Sequence, residues 1–203
     1  DLLWPEADGD MAMQAFATNL HRLRKLLGRP DAVLLLNGIL SLDPKLCWID
    51  ARAFELSLGK AEDLWDKAES EEEFDKACEL ISSALSLYKG EFLPDEDFIP
   101  DAIAMRGHLH TRFLQGLYNL GEHLIRSGRY EEAHQSLERG IEIDECAEEL
   151  YQLLMICLSG QGMKTEALSI YERCRSSLSS LLNTSPSEET TAIAEKIRSG
   201  KKR

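Results

Sequence analysis

Gly128-Arg-Tyr-Glu-Glu-Ala133 and Gly162-Met-Lys-Thr-Glu-Ala167 stand 34 residues apart and agree at their first position and their last two. The same offset pairs Leu120 with Leu154, Leu124 with Leu158 and Glu138 with Glu172. Each agreement has a physical reason in a helix–turn–helix. A glycine ends the first helix, where a left-handed residue is needed. An alanine near the start of the second helix lets it lie close against the first. Thirty-four residues is also the period of tetratricopeptide repeats. The block from Phe74-Asp-Lys-Ala77 to Tyr88 reads as a further second helix whose partner is degenerate. Two clear copies are fewer than the three or so that a free-standing solenoid needs, so neighbouring helices must cap them. The stripe Tyr118, Leu120, Leu124, Tyr151, Leu154 and Leu158 reads most simply as solenoid core. The functional alternative is a concave repeat surface that binds a peptide or another domain.

Outward from these repeats, everything from Asp50 onward reads as helix. The expected spans are 51–68, 71–88, 98–127, 130–143, 147–160, 164–181 and 187–198, punctuated at Gly90, Pro94, Gly128, Gly162 and Pro186. The first fifty residues differ. Asp8-Gly-Asp10 is a helix-start signal, followed by a helix over about 11–27 that stops at Gly28, with Pro30 beyond. Met13, Phe16, Leu20, Leu23 and Leu27 fall at 3-4-3-4 spacing and predict one buried stripe. Two β-prone runs within Val33–Leu42 then flank Asn37-Gly38, a pair suited to a two-residue hairpin turn because both central residues need positive φ. Asp43-Pro44 breaks the run, and Cys47-Trp48-Ile49 is expected to add a short extended piece.

Composition narrows the function classes. With 43% hydrophobic residues the 203-residue chain can bury a core. No run of about 18 apolar residues predicts a membrane span. The opening Asp1-Leu-Leu-Trp-Pro-Glu lacks the basic region and apolar stretch of a signal peptide, and its abrupt apolar start reads as a segment of a larger protein. Cys47, Cys78, Cys146, Cys157 and Cys174 are odd in number, widely spaced and free of any CxxC pair. They read as small buried residues in a reducing cytoplasm, not as a metal or disulfide framework. The net charge of −13 argues against a generally sticky nucleic-acid binder. The charge is uneven, however. His21-Arg-Leu-Arg-Lys-Leu-Leu-Gly-Arg29 is the densest basic segment outside the Lys201-Lys-Arg203 tail, whereas residues 60–100 and 130–150 are rich in carboxylates.

The order of these pieces resembles a known family. Leu3-Trp4-Pro5, then Asn19-Leu-His-Arg-Leu-Arg-Lys-Leu-Leu-Gly28, then the Asn-Gly hairpin, resembles the C-terminal half of the winged helix of response-regulator-type transcription factors. Asp50-Ala-Arg-Ala-Phe54 and Leu87-Tyr-Lys-Gly-Glu-Phe-Leu-Pro94 resemble the bacterial transcriptional activator domain of antibiotic-regulatory-type regulators. Where that family often has a tryptophan soon after its Phe-Leu-Pro motif, this chain has Phe98-Ile-Pro100, and the strands and helix that precede the Leu-Trp motif in the family are missing. The resemblance implies a mainly α fold: a partial winged helix over 1–49, followed by a tetratricopeptide-like helical domain over 50–203. It also implies a recognition helix lying in the major groove of promoter DNA. On this chain its exposed face is Gln14, Thr18, Asn19, His21, Arg22 and Lys25. Gln14 and Asn19 suit adenine edges, and Arg22 suits guanine or a phosphate. Arg24 and Lys25 would contact phosphates, with Asn37 at the wing tip close to the backbone. The helical domain is expected to mediate regulation, self-association or contact with a protein partner.

Other readings remain. The first helix read alone is an ordinary amphipathic surface helix whose basic end suits its dipole. A pure tetratricopeptide scaffold is the rival function. No enzyme motif is present: there is no glycine-rich phosphate loop, GxSxG elbow or HExxH. His108 and His110 are two apart, a poor chelate spacing, while His123 and His134 fall in separate helices. The expectation is therefore no metal and no cofactor. The acidic runs Glu69–Phe74 and Glu142–Glu149 read as solvated helix faces and caps.

Overall fold

A computed structural model describes residues 6–200, so Leu3-Trp4-Pro5 and the Lys201–Arg203 tail lie outside the described residues. The chain divides into two compact units, Asp1–Ile49 and Asp50–Arg203.

The first unit contains helix α1 (Gly9–Leu26), a single 3₁₀ turn over Pro30–Ala32, and strands β1 (Val33–Leu36) and β2 (Ile39–Leu42). Helix α1 begins two residues earlier than expected. Within the Asp8–Asp10 start signal, Asp8 is the N-cap, and its carboxylate accepts from the Met11 amide at 2.8 Å. The strands pair antiparallel, with Val33 opposite Leu42 and Leu36 opposite Ile39. Asn37 and Gly38 both have positive φ, 52° and 79°, as a twist-compatible two-residue turn demands. The anticipated extended piece at Cys47–Ile49 is not a strand. A tight turn precedes it, in which Leu46 and Cys47 both donate to the Asp43 carbonyl. The predicted apolar stripe is only partly covered. Leu20 is buried and Phe16 half-buried, but Met13, Leu23 and Leu27 are exposed, because so small a unit offers them little to pack on.

The second unit is all helical. It comprises α2 (Asp50–Lys67), α3 (Glu71–Leu85), α4 (Pro100–Arg126), α5 (Tyr130–Ile143), α6 (Glu148–Gly160), α7 (Lys164–Ser177) and α8 (Glu188–Ser199), with a π-helical turn over Leu178–Leu182. Helices α2/α3, α4/α5 and α6/α7 pack as hairpins, and α5 also packs on α6. The 34-residue repeat holds down to individual hydrogen bonds. Arg129 donates to Leu124 O at 2.8 Å, and Met163 donates to Leu158 O at 2.9 Å. Ala133 donates to Arg129 O, and Ala167 to Met163 O. Gly128 and Gly162 take φ of 73° and 79° to make these turns. Ala133, Ala167, Leu120, Leu124, Leu154 and Leu158 are all buried, as is Tyr151, and Tyr118 is half-buried.

The degenerate partner of the Phe74–Tyr88 block is α2. Helix α3 starts on a capping box: Ser70 Oγ accepts from the Glu73 amide, and the Glu73 carboxylate accepts from the Ser70 amide. It ends at Leu85 rather than 88, and α4 starts at Pro100 rather than 98, since Pro fits the first turn of a helix. Helix α8 closes the far end of the stack against α6 and α7. There the Glu148 carboxylate accepts from the Ser187 amide at 2.7 Å and from the Thr190 hydroxyl, and Gln152 donates to Thr190 Oγ1 at 2.7 Å.

Candidate nucleic-acid interface

Helix geometry decides which of the candidate residues share a face. Gln14, Thr18, His21, Arg22 and Lys25 follow one another at three- and four-residue steps, so they line one side of α1, away from Leu20. All five are exposed. Asn19 is exposed too, but it lies toward the flank, and its amide nitrogen donates back to Ala15 O at 3.0 Å. Arg24 is placed differently. It lies on the inward side near Leu20, and its guanidinium donates through Nε and Nη2 to Val33 O at 3.2 and 2.7 Å. Arg24 is therefore the clamp that ties the helix to the hairpin, with part of its donor fork already engaged. Asn37 is exposed at the hairpin tip.

The charge on this helix is concentrated. From Gly9 to Arg29 the chain carries Arg22, Arg24, Lys25 and Arg29 against a single carboxylate, Asp10. Asp10 sits in the first turn and the arginines and lysine near the last, each at the helix end its charge favours. Among the described residues neither Arg22 nor Lys25 is in an ion pair, whereas Arg29 meets Asp31 at 3.5 Å. The polar face thus presents an amide, a hydroxyl and cationic donors in a row, which is the chemistry that reads base edges and phosphates.

In the second unit, the Leu87–Pro94 stretch is held from two sides by arginines that the sequence did not single out. Arg106 donates to Phe92 O at 3.0 Å, to Leu93 O at 2.5 Å and to Asp97 Oδ1 at 3.1 Å. Arg139 donates to Leu85 O and Tyr88 O at 2.9 and 3.0 Å, ending α3, and lies over the Phe113 ring. Tyr88 stacks on Phe113 with centroids 4.3 Å apart. An open cleft of about 450 Å³, lined by Phe54, Tyr88, Phe92, Leu93 and Pro94 among others, lies beside this stretch.

The histidines from Asp50 onward are taken up by neighbours. His108 meets Glu55 at 3.0 Å, His110 meets Asp144 at 3.2 Å, and His123 packs on Trp65 and Phe74. Among the described residues no three His, Cys, Asp or Glu side chains gather as a metal site would require. Burial pushes the Cys78 thiol up to about 11 and the Cys174 thiol up to about 12, so neither is poised as a nucleophile. Among the described residues no helix is long and apolar enough to cross a membrane.

Comparison with known proteins gives a consistent picture. The family model of the bacterial transcriptional activator domain matches residues 49–198. The regulatory proteins AfsR of Streptomyces griseus and of Streptomyces coelicolor are each 28% identical over 200 residues. The match covers 97% of this chain but only 20% and 19% of theirs, so the chain spans about a fifth of these relatives. Among solved structures, EmbR of Mycobacterium tuberculosis, in complex with a low-affinity phosphopeptide, superposes with a TM-score of 0.68 at 21% identity. That likeness covers 99% of this chain and 53% of EmbR, and it shows a shared fold.

Proposed function

We propose that this chain, which belongs to the bacterial transcriptional activator domain family, is the part of a DNA-binding transcriptional regulator that joins a recognition helix to a protein-contact domain. Helix α1 enters the major groove of promoter DNA. Gln14 and Asn19 meet adenine edges, and Arg22 meets guanine or phosphate. Thr18 and His21 complete the contact face. Lys25 and the free part of Arg24 fix register on phosphates, and Asn37 approaches the backbone from the wing tip. The helices from Asp50 onward carry regulation through a protein partner or self-association. The setting is the cytoplasm, a reading supported by five cysteines that are all free thiols.

The observation that carries this reading is the exposed row Gln14, Thr18, His21, Arg22 and Lys25, on a helix clamped to a hairpin by Arg24. An amphipathic surface helix also exposes polar side chains; what favours the DNA reading is that no carboxylate interrupts this row and that the helix is joined to a hairpin. The test is binding of the full-length regulator to its own promoter region at two salt concentrations, with Arg22→Ala alongside. Sequence-selective binding that weakens with salt, and weakens by about 1–3 kcal/mol in Arg22→Ala, is the expected result. A folded full-length protein that binds no promoter DNA would leave the scaffold reading in its place.

A further inference from the structure

The connection between α3 and α4 carries an exposed aromatic that the fold does not use. Phe98 is 95% exposed, the most exposed large apolar side chain among the described residues. It sits in Glu91-Phe-Leu-Pro-Asp-Glu-Asp-Phe-Ile-Pro-Asp101, which holds five carboxylates and no lysine or arginine. Asp95, Glu96, Asp97 and Asp101 are all exposed beside it. Leu93, also half out in solvent at 49%, adds apolar surface in the same loop.

This loop has a fixed backbone. Arg106 holds the Phe92 and Leu93 carbonyls and the Asp97 carboxylate. Glu96 N donates to Leu93 O, and Leu93 itself is held at φ 46°, a left-handed conformation unfavourable for leucine. Phe98 is then followed at once by Ile99, the N-cap of α4, and by Pro100. An aromatic presented on a fixed backbone loses little conformational entropy when it is buried by a partner, which is what makes aromatics effective interface anchors.

We propose that the Phe98 loop docks a protein partner that offers an apolar pocket rimmed by lysine and arginine. Phe98 fills the pocket, and Asp95, Glu96 and Asp101 face the basic rim. The argument for this occupant is charge complementarity. Glu91 and Asp97 face Arg106, but Asp95, Glu96 and Asp101 are in no ion pair among the described residues; these three repel an acidic surface and nucleic acid alike, and they steer a basic protein surface toward the anchor. The proposal does not depend on α1 reading DNA.

The test places a photo-crosslinking p-benzoylphenylalanine at position 98 of the full-length regulator in its own host, and the attachment peptide is identified by mass spectrometry. The expected result is an adduct to a second protein on a peptide rich in lysine and arginine. Asp95→Asn with Glu96→Gln, and added salt, should each lower its yield by about threefold or more. Both substitutions lie at exposed positions, so the unfolding midpoint and promoter binding should stay at the parental values. No adduct, an adduct confined to this chain or a second copy of it, or a yield indifferent to charge and salt would overturn the proposal.

Discussion

Gly140 shows how much a single atom decides in the repeat stack. A Cβ at this position would lie 2.5 Å from Leu150 Cδ1 and 2.6 Å from Leu117 Cδ1, two buried side chains from the helices on either side. Gly140→Ala is expected to lower stability by about 1–3 kcal/mol in urea unfolding, through overpacking. Gly107, inside α4 with nothing within 4 Å of its would-be Cβ, is the counterpart. Gly107→Ala should raise stability by about 0.4–1 kcal/mol. The thiols give a second test at this scale. Cys78, Cys157 and Cys174 are buried, whereas Cys47 and Cys146 are half-open to solvent; desolvation raises the Cys146 thiol as well as those three, so it is burial that sets them apart. A thiol titration of the native protein at neutral pH should therefore count only Cys47 and Cys146, and all five only in denaturant. Cys78, Cys157 and Cys174 are the small buried residues that the wide spacing of the cysteines suggested, whereas Cys47 and Cys146 are only half-buried, a difference that spacing does not carry. Gly140 was not legible, because its constraint comes from Leu117 and Leu150, whose arrival at one point is a property of the fold. Arg106 and Arg139 were missed for a related reason. Their partners are backbone carbonyls, which leave no mark in a sequence.

Elements were more readable than their ends. The helices from Asp50 onward and the Asn37-Gly38 hairpin follow the apolar periodicity and the turn residues closely, since both signals are local. The 3₁₀ turn at Pro30–Ala32 and the π turn at Leu178–Leu182 are too short to have a period and went unseen. The stripe on α1 was read correctly as a pattern, but most of it stays exposed, because a period reports which residues want burial and not what is there to bury them. The α1–hairpin junction rests on the Arg24 clamp, and a two-stranded hairpin has little stability of its own. Arg24→Ala should speed amide hydrogen exchange across Val33–Leu42, whereas Lys25→Ala, one residue away on the outer face, should leave it unchanged. Equal effects of the two would mean that the clamp does not hold the hairpin.

At the scale of the whole molecule, the repeat offset was the most informative line in the sequence; two copies called for capping helices, and α8, expected over 187–198, closes the far end of the stack. That closure rests on Glu148. Burial alone would raise the pKa of its carboxyl, but hydrogen bonds from Thr190 and Ser187 outweigh it, and the net direction is down. A depressed carboxyl pKa contributes stability above the unfolded value of about 4.3 and loses it as pH falls through the folded value. The melting temperature of the parent should therefore exceed that of Glu148→Gln by a constant margin between about pH 6 and 8, and the margin should shrink below about pH 4.3. A margin that persisted at low pH would point to shape and not charge. Finally, Arg129 to Leu124 and Met163 to Leu158 are the same turn bond shifted by one period, and α5 of the first hairpin packs on α6 of the second, so the two hairpins are successive copies of one stacked unit. The stack can therefore grow or shrink only in whole periods. Duplicating residues 129–162 in tandem should yield a longer protein that still folds, whereas an insertion of half that length would present the wrong face to every helix after it.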